Sequence, residues 1–431
     1  MAEKSDASRP SDVEFSRPDR PGMRLRFSRV GPGLVLAAAS VGAADMVTSI
    51  NGAAQFGMGL LWAAALGVLI KFVLTEGVGR HYLATGRTFL ADIGERSRVG
   101  AGLLLVVFLV IGLLYGAGLS SVAALALTTL IPTLPLVPVA ATASVAAAAI
   151  VLLGRYDTFE SIMKYFMILK FGLMVTLAAI ALASIDDWAG FAGSLVPQLP
   201  AGSLVDVVAL IGGVGGTAGV IAYGYWVREK GWRDPSWLPV IRFDSGLSYV
   251  MIFVFVVATT IVGTVLVYGT GASVRGTEGL SALSEPMGLQ LGAVARVVFL
   301  LTFTVVAFSA LVGGFNGLAH MLSDSARTVR GRRGVSVSDV EGSGVFRLFV
   351  LGMLVSSLVM VFAGRPVTLL LAYAAVGSLI MPIVAAFLLF RMNRRDIDGP
   401  LRNGAVTNLI QGVALALFAL LAVVEIMEIV G

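Results

Sequence analysis

Asp45 is the only carboxylate in GPGLVLAAASVGAADMVTSINGAAQFG (residues 31–57), an apolar stretch long enough to cross a membrane. An ionisable group at that depth costs at least ~2.5–3.5 kcal/mol, so its presence marks a site by default. Gly42, Ala43 and Ala44 stand directly before it, a small-residue interruption that does not break a helix as proline would. A second charge, Lys170, sits inside KYFMILKFGLMVTLAA. A third signal is GGVGGTAGVIAYGYW (residues 212–226), with five glycines in its first eight residues. Each weakens helix by roughly 1 kcal/mol relative to alanine. Buried charge beside interrupted helices exposes backbone carbonyls and amides to a midplane cavity, which is chemistry for holding an ion or small solute.

The elements that position these groups follow from composition. Hydrophobic residues make up 57% of the 431-residue chain and charged residues 13%, with a mean hydropathy of +0.91. A soluble domain of this size has no use for so much apolar surface. The apolar runs are continuous rather than alternating, so the fold class is an all-α integral membrane protein. Eleven spans are predicted, near 31–55, 59–78, 101–130, 138–154, 163–185, 205–227, 245–268, 295–321, 346–363, 366–390 and 404–430. Spans one to five (31–185) and six to ten (205–390) lay over each other as inverted repeats, with 404–430 as an addition.

Residues 1–30 are polar and basic, lack the apolar core of a signal peptide, and read as a retained cytoplasmic tail. With that tail inside, 26 of the 31 Lys and Arg fall on the inner face, three outside (Arg275, Arg296, Arg365) and two within spans (Lys71, Lys170). That asymmetry predicts a plasma (inner) membrane protein with its N-terminus cytoplasmic and its C-terminus outside. The net charge of +5 reflects this orientation and calls for the lipid bilayer as partner, not nucleic acid. Cysteine is absent, which excludes disulfides and thiolate ligands. No Walker loop, GxSxG turn or His–carboxylate pair at useful spacing is present, so no enzyme and no cofactor is expected.

GPGLVLAAAS, INGAAQFGMGLLW and HYLATGRTFLADI, with AAVGSLIMPIVAAFLLFRMNRRDIDG near the tenth span, together resemble the NRAMP family of metal-ion transporters. The resemblance implies a LeuT-type fold, two inverted five-helix repeats plus an eleventh helix, with unwound first and sixth spans around a central site. The family's Asp-Pro-Gly-Asn motif falls on Gly42, Ala43, Ala44 and Asp45, and its Met-Pro-His on about Gly219, Val220 and Ile221. A tenth-span glutamine corresponds to Ala374, and third-span acidic residues to about Gly116 and Leu119. The usual ligands for late transition metals are therefore replaced. The site expected from the resemblance comprises Gly42, Ala43, Ala44, Asp45, Thr48, Gly216, Thr217, Gly219 and Ala374, with Asp45 as the metal ligand. One carboxylate with carbonyls and hydroxyls, among them Ser40, suits a hydrated Mg²⁺, a monovalent ion or the amine of an organic solute.

Lys170 has two readings: snorkelling toward the inner interface, or coupling. Some proton-coupled amino-acid carriers of the implied fold place a fifth-span lysine where relatives bind sodium. Lys71 and Glu76 read as an interfacial ion pair, Asp157, Glu160 and Lys164 as a solvated segment, and His81 and His320 as interfacial. Tyr223, Tyr225 and Trp226 read as an aromatic belt, with a cavity wall as the alternative. Ser309 and Asn316 are candidates to offer oxygens toward the first span. The leading expectation is a secondary symporter of a small cation, Mg²⁺ among them; the alternative is a proton-coupled carrier of an amine or amino acid using Lys170. A non-transporting sensor is a third reading.

Overall fold

The computed structural model describes residues 30–200, 204–270, 279, 283–331, 343–363, 377 and 379–430. Every regular element among them is helical. The first span is two helices, α1 (Pro32–Ser40) and α2 (Ala43–Phe56), bent by 58° where they meet. The second is α3 (Leu61–Thr85), followed by the short amphipathic α4 (Phe89–Arg96), which buries Phe89, Leu90 and Asp92. Spans three to five are α5 (Arg98–Leu130), α6 (Leu136–Leu153) and α7 (Tyr156–Ala183), with a short surface helix, α8 (Trp188–Gly193), after them.

The sixth span is again broken, into α9 (Leu204–Gly213) and α10 (Ala218–Glu229). Spans seven and eight are α11 (Leu238–Val267) and α13 (Ala293–Val329), with α12 (Ser284–Leu291) between them; the ninth is α14 (Gly344–Ala363). The tenth is represented by α15 (Ile380–Arg391), and α16 (Ala405–Val430) closes the chain. Among the described residues nine helices are long and apolar enough to cross a membrane, ten with the bent first pair counted as one, and α15 is a shorter apolar helix. All eleven predicted spans thus coincide with apolar helix or its described part; residues 366–376 and 378 of the tenth lie outside the described residues.

The breaks sit where the sequence weakens helix. Gly215 and Gly216 adopt φ of +80° and +61°, the left-handed region that other residues enter only at a cost of about 1–2 kcal/mol. A Cβ on Gly216 would also lie 3.0 Å from the Ser40 backbone, so the two breaks touch. The half-helices are enclosed by α3, α7, α11 and α13, and α13 packs extensively against α5. Gly314 makes that approach possible, since a Cβ there would overlap the Tyr115 ring, and Gly313 brings α13 equally close to Ala39 of α1.

Candidate functional site

Asp45 is the third residue of α2, 4% exposed. One carboxylate oxygen accepts the Gly42 N–H at 2.8 Å and the other accepts the Gly215 N–H at 2.7 Å. The first bond caps α2 at its positive end, where a carboxylate is favoured. The second reaches across to the break in the sixth span, so one side chain ties both interruptions together. The left-handed Gly215 is what aims that N–H at the carboxylate.

The opposite, carbonyl ends of the half-helices are held by lysines. Lys170 on α7 is fully buried. Its ammonium donates to the carbonyls of Ala38 at 2.8 Å and Val41 at 3.0 Å, and to the Ser309 hydroxyl at 3.3 Å. All three N–H bonds of the ammonium are used. Ser309 itself donates to the Ala38 carbonyl at 3.0 Å. Lys71 on α3, equally buried, donates to the Gly212 carbonyl at 2.7 Å, in the last turn of α9. Both ammonium groups lie within Coulombic reach of Asp45. Two basic side chains and one carboxyl therefore share this centre. Each lysine satisfies carbonyls that carry the negative end of a helix dipole, as a bound cation would.

Between the breaks lies a cavity of about 290 Å³, at the small end of the range for ligand sites. Of the predicted site residues, Gly42, Ala43, Asp45, Thr48, Gly216, Thr217 and Gly219 all line it. Ala44 falls in α2 with its side chain outside the described residues, and Ala374 lies outside them altogether. Ser40, Leu119 and Trp226 also line the cavity, whose wall is otherwise mostly glycine and alanine. Lys170 approaches α1 from outside the cavity. Among the described residues no group of three or more His, Cys, Asp or Glu is placed to hold a metal ion.

Several sequence expectations are corrected. Lys170 does not snorkel, because three acceptors hold its ammonium inside. Lys71 does not pair with Glu76, which instead accepts from Arg80 and Arg242, each at 3.0 Å. His81 and His320 are buried rather than interfacial; His81 bonds Asp92 at 2.9 Å. Glu160 is not solvated: it is 2% exposed and takes the Lys230 ammonium at 2.9 Å and Lys164 as well. Tyr223, Tyr225 and Trp226 are fully buried, so they form no aromatic belt. Tyr223 donates to Asp244 at 3.0 Å, Tyr225 to Asp324 at 2.9 Å, and Trp226 to Asn316 at 2.9 Å. Asn316 is thereby turned away from the first span, whereas Ser309 faces it.

Asp244 escaped sequence reasoning. It is fully buried on α11 and accepts the Gly31 N–H at 3.0 Å and the Gly33 N–H at 2.7 Å. It therefore caps the start of α1 while Lys170 caps its end, and the nine-residue helix is held by opposite charges matched to its dipole. The available signal was a carboxylate flanked by FDSGLSY at the mouth of the seventh span.

Comparison with known proteins places this geometry. No curated protein sequence matches the chain. In three dimensions it is similar to the manganese transporter of Eremococcus coleocola, at 16% identity and a TM-score of 0.77 over 97% of this chain and 90% of that one. It is also similar to Mhp1, a nucleobase-cation-symport-1 family transporter, at 14% identity and a TM-score of 0.58, over 93% and 92% of the two chains. A third is MhsT, in complex with L-phenylalanine, at 14% identity and a TM-score of 0.56, over 93% and 98%. These likenesses establish the LeuT-type fold. The family model for natural resistance-associated macrophage protein-like sequences matches residues 33–428. The chain belongs to the Nramp family of metal-ion transporters, and is a multi-pass membrane transporter, not an enzyme.

Proposed function

We propose that this Nramp member is a secondary active transporter that carries a small organic solute of the amine or amino-acid class by alternating access, with Lys170 as the proton-coupling group. The observation that carries the reading is the Lys170 ammonium on Ala38, Val41 and Ser309, a fixed cation at the unwound end of α1. Protonated, it ties α1 to α7 and α13; without the proton it loses the charge that holds three acceptors. A proton arriving or leaving there therefore changes how firmly the first half-helix is held. When protonated, Lys71 and Lys170 oppose a further cation beside Asp45, while an uncharged or zwitterionic solute meets no such penalty. The test is uptake in liposomes at varied pH: the parent is expected to respond, and a Lys170→Ala protein that keeps the parent's pH dependence would end the coupling assignment.

The second reading is a small metal cation, a hard ion such as Mg²⁺ among them, with Asp45 as its charged ligand. Family membership favours it, as does the fold shared with a manganese transporter. Each Asp45 oxygen keeps a lone pair beyond its single N–H bond, and Ser40, Thr48 and Thr217 supply hydroxyls. The fold itself serves both classes of cargo, since MhsT is seen with L-phenylalanine. In either case the charge asymmetry supports an inner-membrane orientation with the N-terminus cytoplasmic. Residues 31–185 and 205–390 then form the two repeats, with 404–430 outside them.

A further inference from the structure

The two ends of the cavity are not alike. At the breaks its wall includes Thr48, which is half-buried, and Gly213, which is exposed. Past the breaks it follows α10 and α13, between Gly219 and Ala222 on one side and Gly317, Leu318 and Met321 on the other, and all five are buried. The passage is narrow there: a Cβ on Gly317 would lie 3.0 Å from the Ala222 Cβ and 3.6 Å from the Trp226 indole. Trp226 is the last α10 residue on the wall and its largest side chain, and it is fully buried. It stands about 12 Å along the helix from Ala218. Its indole N–H, which can only donate, is held on the Asn316 Oδ1 at 2.9 Å. Arg228, Lys230 and Arg233 follow it in sequence, so the closed end of the cavity is the end that faces the basic loops.

The backbone on either side of Trp226 is pinned. Tyr225 donates to Asp324 of α13 at 2.9 Å and stacks on His320, with ring centroids 5.8 Å apart. Asp324 also accepts from the hydroxyl of Thr88, the residue before α4. Arg228 reaches His320 at 3.5 Å. Moving α10 away from α13 breaks all of these contacts, whereas turning the indole breaks one hydrogen bond. We infer that Trp226 is the barrier that closes the cavity toward the basic face, with Asn316 as its catch, and that cargo passes when the indole turns off Asn316 while α10 stays tied to α13. Trp226 thereby decides on which face the cavity opens, and Asn316 acts only through it, as a positioning residue. The barrier acts on passage, and so on a metal ion and an organic solute alike.

The chain has no cysteine, so a single introduced thiol reports access to the cavity without background. Thr217→Cys in the full-length protein places one on the wall, and a membrane-impermeant maleimide is applied to right-side-out and to everted vesicles. Ser236→Cys, in the exposed basic loop, identifies the vesicles that present the basic face. The Thr217→Cys reporter is expected to react from the opposite face and only slowly from the basic one. Adding Trp226→Ala should speed labelling from the basic face about tenfold or more and leave the opposite face unchanged. Asn316→Leu keeps the indole but removes its acceptor, and should speed basic-face labelling several-fold, the scale on which losing one hydrogen bond shifts an equilibrium. It also decides the matter if Trp226→Ala fails to fold. Parental basic-face rates in folded Asn316→Leu overturn the catch, and parental rates in folded Trp226→Ala overturn the barrier. An equal rise from both faces shows general loosening of the fold and overturns both.

Discussion

Asp45 and Gly215, 170 residues apart in the chain, are joined by a 2.7 Å hydrogen bond between a carboxylate and a backbone N–H. Because the other oxygen caps its own helix, the pair bonds the broken first span directly to the broken sixth. Replacing Asp45 by Ala frees both N–H groups in a buried place, at about 1–3 kcal/mol each. Uptake of any cargo should fall at least tenfold, and Asp45→Asn, which can accept only one of the two bonds, should fall between. Full transport by folded Asp45→Ala would show that the link is dispensable.

Gly215→Ala should act on the same link from the other side. Its φ of +80° costs alanine about 1–2 kcal/mol, paid either as lower thermal stability or as a shifted break that withdraws the N–H from Asp45. A melting curve and an uptake assay together read it. A variant with parental stability and parental uptake would contradict the strained-glycine account.

Lys71 and Lys170 hold different half-helices and should fail differently. Lys71→Met leaves the Gly212 carbonyl bare and should lower stability while leaving the pH profile of uptake in place. Lys170→Met should flatten that profile. If Lys71→Met flattened it too, coupling would be shared between the lysines.

Asp92 sits on α4, off the spans, against His81, Arg391 at 2.8 Å and Arg96 at 3.3 Å. Burial alone would raise its carboxyl, but the hydrogen bond and charge of His81, then Arg391 and Arg96, outweigh burial and hold it below the usual carboxylate range. A carboxyl depressed in the folded state binds fewer protons there than when unfolded. Its stabilisation is therefore complete above the unfolded value of ~4 and is lost as pH falls toward the folded one. Asp92→Asn should lower the melting temperature at pH 7 and show a smaller loss on going to pH 3 than the parent does. Parallel acid curves for the two proteins would contradict this.

The spans were legible because continuous apolar runs have one solution in lipid, and each predicted span coincides with a helix or its described part. The break in the sixth span was legible from Gly212, Gly213, Gly215, Gly216 and Gly219, and the first from Asp45 among small residues. The surroundings of the charged residues were not. Lys71 and Glu76 stand five residues apart, about 140° round the helix from each other; Glu76 pairs with Arg80 one turn on, while Gly212 and Arg242, the other partners of the two, lie more than 130 residues away in sequence. Pattern along one helix cannot report a partner supplied by another. Asp244 was missed for the same reason: besides the Tyr223 hydroxyl, its partners are the backbone N–H groups of Gly31 and Gly33, which carry no side-chain signature. Tyr223 and Tyr225 looked like a belt because they border basic residues, and only packing against α11 and α13 reveals that they are buried.

The most direct test is uptake by the purified protein in liposomes under an inward proton gradient, with labelled amino acids, Mg²⁺ and Mn²⁺ assayed side by side in the parent and in Lys170→Ala. The account predicts flux of at least one amino acid that rises with the gradient and loses its pH dependence in the variant. Flux of Mg²⁺ or Mn²⁺ alone, abolished by Asp45→Ala and indifferent to Lys170, would contradict it and establish a cation site rebuilt around the single carboxylate.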